Sequence, residues 1–157
     1  MSHLQAIYHD YSACCDEFST GIEYLKQRSV EQAALCFHSA CTSVSESHCY
    51  HSVYLSYCGF AKILTGDYQA IELCRAAADK KVNNSDIYYV LARAEMFCNN
   101  RQASIKALSQ GLAMDNRHQG LSLMKKQIGY RRFKPIPFFP RHSFVNNSIG
   151  KLLRKNK

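Results

Sequence analysis

His48-Cys49-Tyr50-His51 is the stretch of this sequence that most resembles a metal site. Imidazole and thiolate are the common zinc ligands, and His48 and His51, three residues apart, share one side of a helix. A closed structural site needs four ligands, and no second cluster stands at ligand spacing, so no metal is expected. Cys14-Cys15 could form a redox pair, but no resolving partner is evident and none of the eight cysteines forms a CxxC. Asp16-Glu17 is the one adjacent pair of acids. Successive helix positions point apart, so the two carboxylates would not act together. There is no GxSxG, no HExxH and no phosphate-binding glycine loop, and the seven glycines are scattered. No catalytic residue and no cofactor are expected, and the chain reads as a binding protein rather than an enzyme.

With 157 residues, 46% hydrophobic and 20% charged, the chain can form one ordinary globular core. The formal charge of +8 is unevenly spread. Residues 1–115 hold nine Lys/Arg and all twelve Asp/Glu, a net −3, whereas residues 116–157 hold eleven Lys/Arg and no acid, a net +11. Such a split predicts a near-neutral body and a cationic arm. Met1 to Asp10 lacks a basic segment followed by an apolar one, so a cytoplasmic location is expected, with the thiols serving as small hydrophobes. No apolar run approaches the roughly 18 residues that a spanning helix needs.

All three prolines stand at 135, 137 and 140, so nothing before them interrupts a helix. Three triplets of small or apolar residues repeat at spacings of four and then three: Ala33, Phe37, Ala40; Ala70, Cys74, Ala77; and Ser104, Leu108, Gly111. Each triplet falls on one helix face. Twelve residues before each lies another small residue: Gly21, Cys58 and Ala92. Helices crossing about 8–10 Å apart admit only such side chains at the crossing. His51 and Ser85 open units 34 residues apart, and Cys14 opens one 37 residues earlier, with three extra residues near 47–50. Ser29-Val30-Glu31-Gln32 reads as a capping box, Thr65-Gly66-Asp67 as the end of one helix and the cap of the next, and Asn84-Ser85-Asp86 as a helix start. The pattern predicts helices over 12–27, 30–43, 48–64, 68–81, 86–98, 101–114 and 118–129. The last has an apolar stripe of Leu121, Met124 and Ile128, as a terminal cap requires.

A period of 34 made of two helices is that of the tetratricopeptide repeat. Gly66-Asp67-Tyr68-Gln69-Ala70-Ile71-Glu72-Leu73 looks like the entry of that family's second helix. Asp115-Asn116 stands where the family often has Asp-Pro. The chain therefore resembles a tetratricopeptide-repeat protein, with three repeats over about 14–118 and a capping helix. It departs from the family in having Glu17 where the first unit should carry a large aromatic, and in lacking the closing proline of each unit. The resemblance implies an all-α, right-handed α-α superhelix over residues 1–129.

It also implies that the first helix of each pair lines a concave groove. The inward residues would be Phe18, Ile22 and Lys26, then Leu55, Ser56 and Lys62, then Tyr89, Arg93 and Phe97. Apolar pockets interspersed with cations suit a peptide that carries apolar and acidic groups. The family's clamp for a chaperone's C-terminal carboxylate uses Lys and Asn, then Asn, then Lys and Arg. Phe18, Ile22, Ser56, Asp86 and Val90 stand at those positions, so that ligand is not expected. Small secretion chaperones share the size, although they are typically acidic.

Residues 130–157 form the basic segment. The prolines favour an extended path, while Ile136, Phe138, Phe139 and Phe144 favour burial. Three uses stay open: docking on the chain's own repeats, contact with an acidic protein or membrane surface, and contact with nucleic acid. Arg131, Arg132, Lys134 and Arg141 would meet phosphates or carboxylates, with Phe138 and Phe139 beside them. The expected function is a protein-interaction module, a scaffold or chaperone-like adaptor holding a partner's peptide in its groove. The alternative is a nucleic-acid-associated protein that acts through the tail.

Overall fold

The structure, a computed structural model, describes residues 14–128. Among the described residues it is entirely helical, with no strand. The helices are α1 (Asp16–Lys26), α2 (Val30–Thr42), α3 (His51–Leu64), α4 (Ile71–Asp79, preceded by a 3-10 turn over Tyr68–Ala70), α5 (Ser85–Phe97), α6 (Arg101–Met114) and α7 (Gln119–Ile128). Each predicted helix is present. The differences lie at the ends, where the 48–64 helix begins only at His51, after turns closed by His48 N–H to the Ser45 carbonyl and His51 N–H to that of His48. Met1–Met124 is one compact unit, and Lys125–Lys157 is a second, of which only 125–128 is described. No described helix is long and apolar enough to cross a membrane.

In the first unit each helix packs on its neighbour in sequence from α1 to α6, and α3 also packs on α5. The first helix of each pair ends in the same way. Arg28, Gly66 and Asn99 adopt positive φ of 63°, 103° and 61°. At each end two bonds close the turn: Arg28 and Ser29 N–H to Leu25 and Tyr24 carbonyls, Gly66 and Asp67 N–H to Ile63 and Lys62, and Asn99 and Asn100 N–H to Met96 and Glu95. This is the Schellman arrangement, which satisfies carbonyls that the helix leaves open. Three copies of one backbone turn are a repeat that the side chains conceal, since Arg, Gly and Asn occupy the same place.

Two expected side-chain caps are absent. A capping box needs the N–H of its first residue for the reciprocal bond. The Ser29 N–H is already held by the Tyr24 carbonyl at 2.9 Å, and the Ser29 hydroxyl caps nothing. Asp67 likewise gives its N–H to Lys62 and makes no side-chain cap. Asn84 does cap, with its Oδ1 accepting from Asp86 N–H at 2.9 Å.

The second helix pair, α3 and α4, differs in register by one residue. Five residues separate Arg28 from Ala33 and Asn99 from Ser104, but four separate Gly66 from Ala70. The tighter 3-10 turn takes up the shortening. As a result Gly59, not Cys58, sits where α3 meets α4. A Cβ on Gly59 would stand 2.9 Å from the Ala70 carbonyl oxygen, from Cys74 Sγ and from Leu73 Cβ. Gly21 serves the first pair, where a Cβ would stand 2.7 Å from the Phe37 ring. In the third pair the Ser104 hydroxyl donates to the Ala92 carbonyl at 2.7 Å across the crossing.

Between the first two pairs the core is aromatic. Phe18 has its ring centroid 5.3 Å from Phe37, 4.9 Å from Tyr54 and 5.1 Å from Tyr57, and Phe37 lies 5.4 Å from Tyr57. All four are buried. Each such side chain contributes roughly 1.5–3 kcal/mol through burial, and ring pairing adds about 0.5–1.5 kcal/mol. Phe18 thus anchors the first unit, one position along from Glu17, where the repeat pattern expects its large aromatic.

Candidate functional site

The nine expected groove residues divide by environment. Phe18, Ile22, Ser56 and Tyr89 are buried. The Ser56 hydroxyl donates to the Val53 carbonyl at 2.7 Å, and its own carbonyl accepts from the Cys74 thiol at 3.3 Å. Lys26 is exposed and pairs with Glu23 at 2.6 Å. Leu55 and Lys62 are half-buried on α3. Arg93 is half-buried and Phe97 is exposed.

Of these, the structure brings Tyr89, Arg93 and Phe97 together. They succeed one another at four-residue steps along α5, hence on one face. The Arg93 guanidinium carbon lies 4.6 Å from the centre of the Phe60 ring and 5.6 Å from that of Tyr89. Phe60 comes from α3, where it is two residues from Lys62 and so points about 160° away from it. Leu55, five residues from Phe60, points about 140° away from it, so neither Leu55 nor Lys62 is on the Arg93 side of α3. Beyond Arg93, the Phe97 ring stacks on Tyr68 at 6.4 Å with 27° between planes. Phe60 and Tyr68 complete the cluster and escaped the sequence reading. They stand on other elements, and no periodicity ties them to α5.

Arg93 makes no ion pair among the described residues. Arg75 shows what a satisfied arginine looks like in the same fold. Its Nε and Nη2 donate to the two oxygens of Glu95 at 2.7 and 3.0 Å, and Nη1 donates to Glu72 at 2.7 Å. Asn100 Nδ2 adds a bond to Glu95 at 3.0 Å. The Glu95 hydrogen bonds push the Arg75 pKa further up, so this group is a permanent cation joining α4 to α5. Arg93 has rings where Arg75 has carboxylates.

Beyond Tyr89 the face is closed by a buried pair. His118 Nε2 lies 2.8 Å from Asp86 Oδ1, and Nδ1 accepts from Leu121 N–H at 3.1 Å. The accepting Nδ1 places the ring proton on Nε2, which donates to Asp86. The His118 ring also lies 5.4 Å from Tyr89. This pair fixes the start of α7 against α5. Its members stand 32 positions apart, which left no signal in the sequence.

The metal-like segment is dispersed. His48 and Cys49 are exposed, whereas His51 is buried. Lys80 Nζ lies 3.4 Å from His51 Nδ1, and His51 Nε2 lies 3.8 Å from Cys41 Sγ. An ammonium can only donate, so the imidazole proton sits on Nε2 and faces the thiol. A ring in that state cannot take the thiol's proton, so the pair is not a nucleophile with its base. Burial first, and the Lys80 charge second, hold the His51 pKa below its ordinary value. No group of three His, Cys, Asp or Glu placed to hold a metal occurs among the described residues.

All eight cysteines are free thiols. Burial raises the pKa of Cys14, Cys41, Cys58 and Cys98, and pushes that of Cys74 up to about 12. Cys14 and Cys15 are both partly buried, and Cys15 N–H donates to the Tyr54 hydroxyl at 3.0 Å. The expected tail contacts, Arg131, Arg132, Lys134, Phe138, Phe139 and Arg141, lie outside the described residues. No protein-family model matches this chain, and no curated protein matches it.

Proposed function

We propose that this chain is a helical-repeat binding module of the tetratricopeptide type, a right-handed superhelix of three helix pairs that holds a peptide segment of a partner protein. It acts as a scaffold or chaperone-like adaptor in the cytoplasm and catalyses no reaction. The three identical first-helix endings and the small-residue crossings favour the repeat reading. The observation that carries the binding reading is Arg93, a half-buried cation held over Phe60 and Tyr89 with no carboxylate partner among the described residues. Ring faces stabilise such a cation by about 0.5–2 kcal/mol, while a carboxylate would add charge-assisted, two-point hydrogen bonds. A partner's acidic side chain is what the site lacks.

The test is selection of displayed random peptides on the immobilised full-length chain. Bound peptides should be recovered, and Arg93→Glu, with an unchanged helical circular dichroism spectrum, should lose them at least tenfold. Recovery of no peptide, or equal binding to the variant, would reject the reading. The charge of +11 on residues 116–157 motivates the second reading, nucleic-acid binding through the tail. Binding of a labelled single-stranded RNA that weakens by orders of magnitude between 50 and 200 mM salt would favour it.

A further inference from the structure

We infer that the Arg93 site and helix α7 are coupled through Tyr89, which touches both. A carboxylate bound at Arg93 steadies the docked helix, and undocking of the helix weakens the site. This deepens the binding reading above and rests on it for the ligand, though not for the link between Arg93 and α7.

α7 is the element whose docking can change. Its 10 residues are fewer than the roughly 12–15 that an isolated helix needs in water, so it is helical only while it lies on the rest of the fold. Its buried residues are Gly120, Leu121 and Met124. Leu121 fits where Gly111 leaves room, since a Cβ on Gly111 would stand 2.7 Å from Leu121 Cδ1. His118, just before the helix, bonds to Asp86 and lies 5.4 Å from the Tyr89 ring. Gly120 lies against that same ring, where a Cβ would stand 2.8 Å from Cε2 and 3.0 Å from Cζ. So narrow a seam opens locally before the whole domain unfolds.

Tyr89 is 4% exposed, and the Arg93 guanidinium carbon lies 5.6 Å from its ring centre. The ring thus meets α7 at Gly120 and His118 and meets the peptide site at Arg93. A carboxylate that binds Arg93 by two-point hydrogen bonds fixes the guanidinium, which stays a flat cation attracted to the ring. Tyr89 then has fewer places to go, and the surface on which Gly120 and His118 rest is set before α7 docks. Removing the Arg93 side chain does the reverse, because Tyr89 loses a neighbour and the seat of α7 loosens. Linkage makes the effect mutual: whatever the ligand adds to docking, docking adds to the ligand's affinity. The element that both sites bias is the docked helix itself.

Amide hydrogen exchange, followed by NMR on the labelled full-length chain, tests this. Leu121 and Ser122 report α7 directly, since their N–H groups bond to His118 Nδ1 at 3.1 Å and to its carbonyl at 3.0 Å. Arg93→Gln should speed exchange from Leu121 to Met124 severalfold while amides of α1 and α2 keep their native rates. Phe97→Ser, on the same face of α5 but stacked on Tyr68, should leave α7 unchanged. Gly120→Ala crowds Tyr89 from the α7 side and should both speed the same amides and weaken the tightest display-selected peptide severalfold. Adding that peptide to the native chain should slow α7 exchange. Native α7 exchange in Arg93→Gln overturns the inference whatever binds there. A peptide that needs Arg93 yet leaves α7 exchange unaltered also overturns it, with the groove intact. Recovery of no peptide rejects the groove and the ligand's effect, whereas faster α7 exchange in Arg93→Gln still upholds the link through Tyr89.

Discussion

Arg75 on α4 and Glu95 on α5 meet through two parallel hydrogen bonds of 2.7 and 3.0 Å, with the carboxylate buried and the guanidinium reaching it from a partly exposed position. The pair joins the second helix pair to the third, twenty residues apart in the chain. Removing Arg75 leaves Glu95 inside the protein with only Asn100 to answer it. Arg75→Ala is expected to cost about 2–3 kcal/mol, less than the roughly 3–5 kcal/mol of a fully buried pair because the guanidinium is partly solvated. Glu95→Gln should cost less, since an amide is cheaper to bury than a charge. Urea denaturation followed by circular dichroism measures both, and equal losses would show that burial of the charge is not the cause.

The register of the second helix pair makes a separate prediction. Gly59→Ala places a methyl 2.9 Å from the Ala70 carbonyl oxygen, which belongs to backbone and cannot swing aside. A loss of about 1–3 kcal/mol follows from forcing α3 and α4 apart. Gly66→Ala meets no neighbour within 4 Å, but it strains a residue at φ 103° and should cost about 1–2 kcal/mol. If Gly59→Ala proves neutral, the helix crossing lies elsewhere.

Cys74 couples stability to alkaline pH. Its thiol is pushed up to about 12 by burial, against 9.0 when unfolded. The raised value means that the folded chain keeps the proton while the unfolded chain loses it. Stability from this group is therefore complete below pH 9 and falls as pH rises toward 12, by about 1.4 kcal/mol per unit at most. Tyr54, also raised by burial, acts in the same direction above pH 10. Denaturant midpoints measured from pH 8 to 11 should decline less steeply in Cys74→Ala than in the native chain. Parallel slopes would mean that the thiol does not titrate as its burial implies.

How much of this was legible beforehand follows from range. Helix positions depend on local periodicity, and the triplets from Ala33 to Gly111, the turn signals between them and the Leu121, Met124, Ile128 stripe placed the seven helices to within a few residues. At Ser29 a Schellman turn had already taken the N–H that the reciprocal bond of a capping box would use, and neither the Ser29 hydroxyl nor the Asp67 carboxylate caps its helix. Nothing in a four-residue window reports that competition. The one-residue slip from Cys58 to Gly59 has a similar source, since a 3-10 turn after Gly66 shortens the path by a residue and only the packed helices reveal it.

By itself the sequence determined the helical class, the pairing of short helices and the α5 stripe of Tyr89, Arg93 and Phe97, because these follow from side-chain period along one element. Only the tertiary structure decided that Phe18, Ile22 and Ser56 are buried, that Leu55 and Lys62 point away from Arg93, and that Phe60 and Tyr68 stand beside it. Those facts depend on how one helix is rotated about its axis against the next. Packing across the interface sets that angle, and a single residue added or lost in a turn shifts it by about 100°.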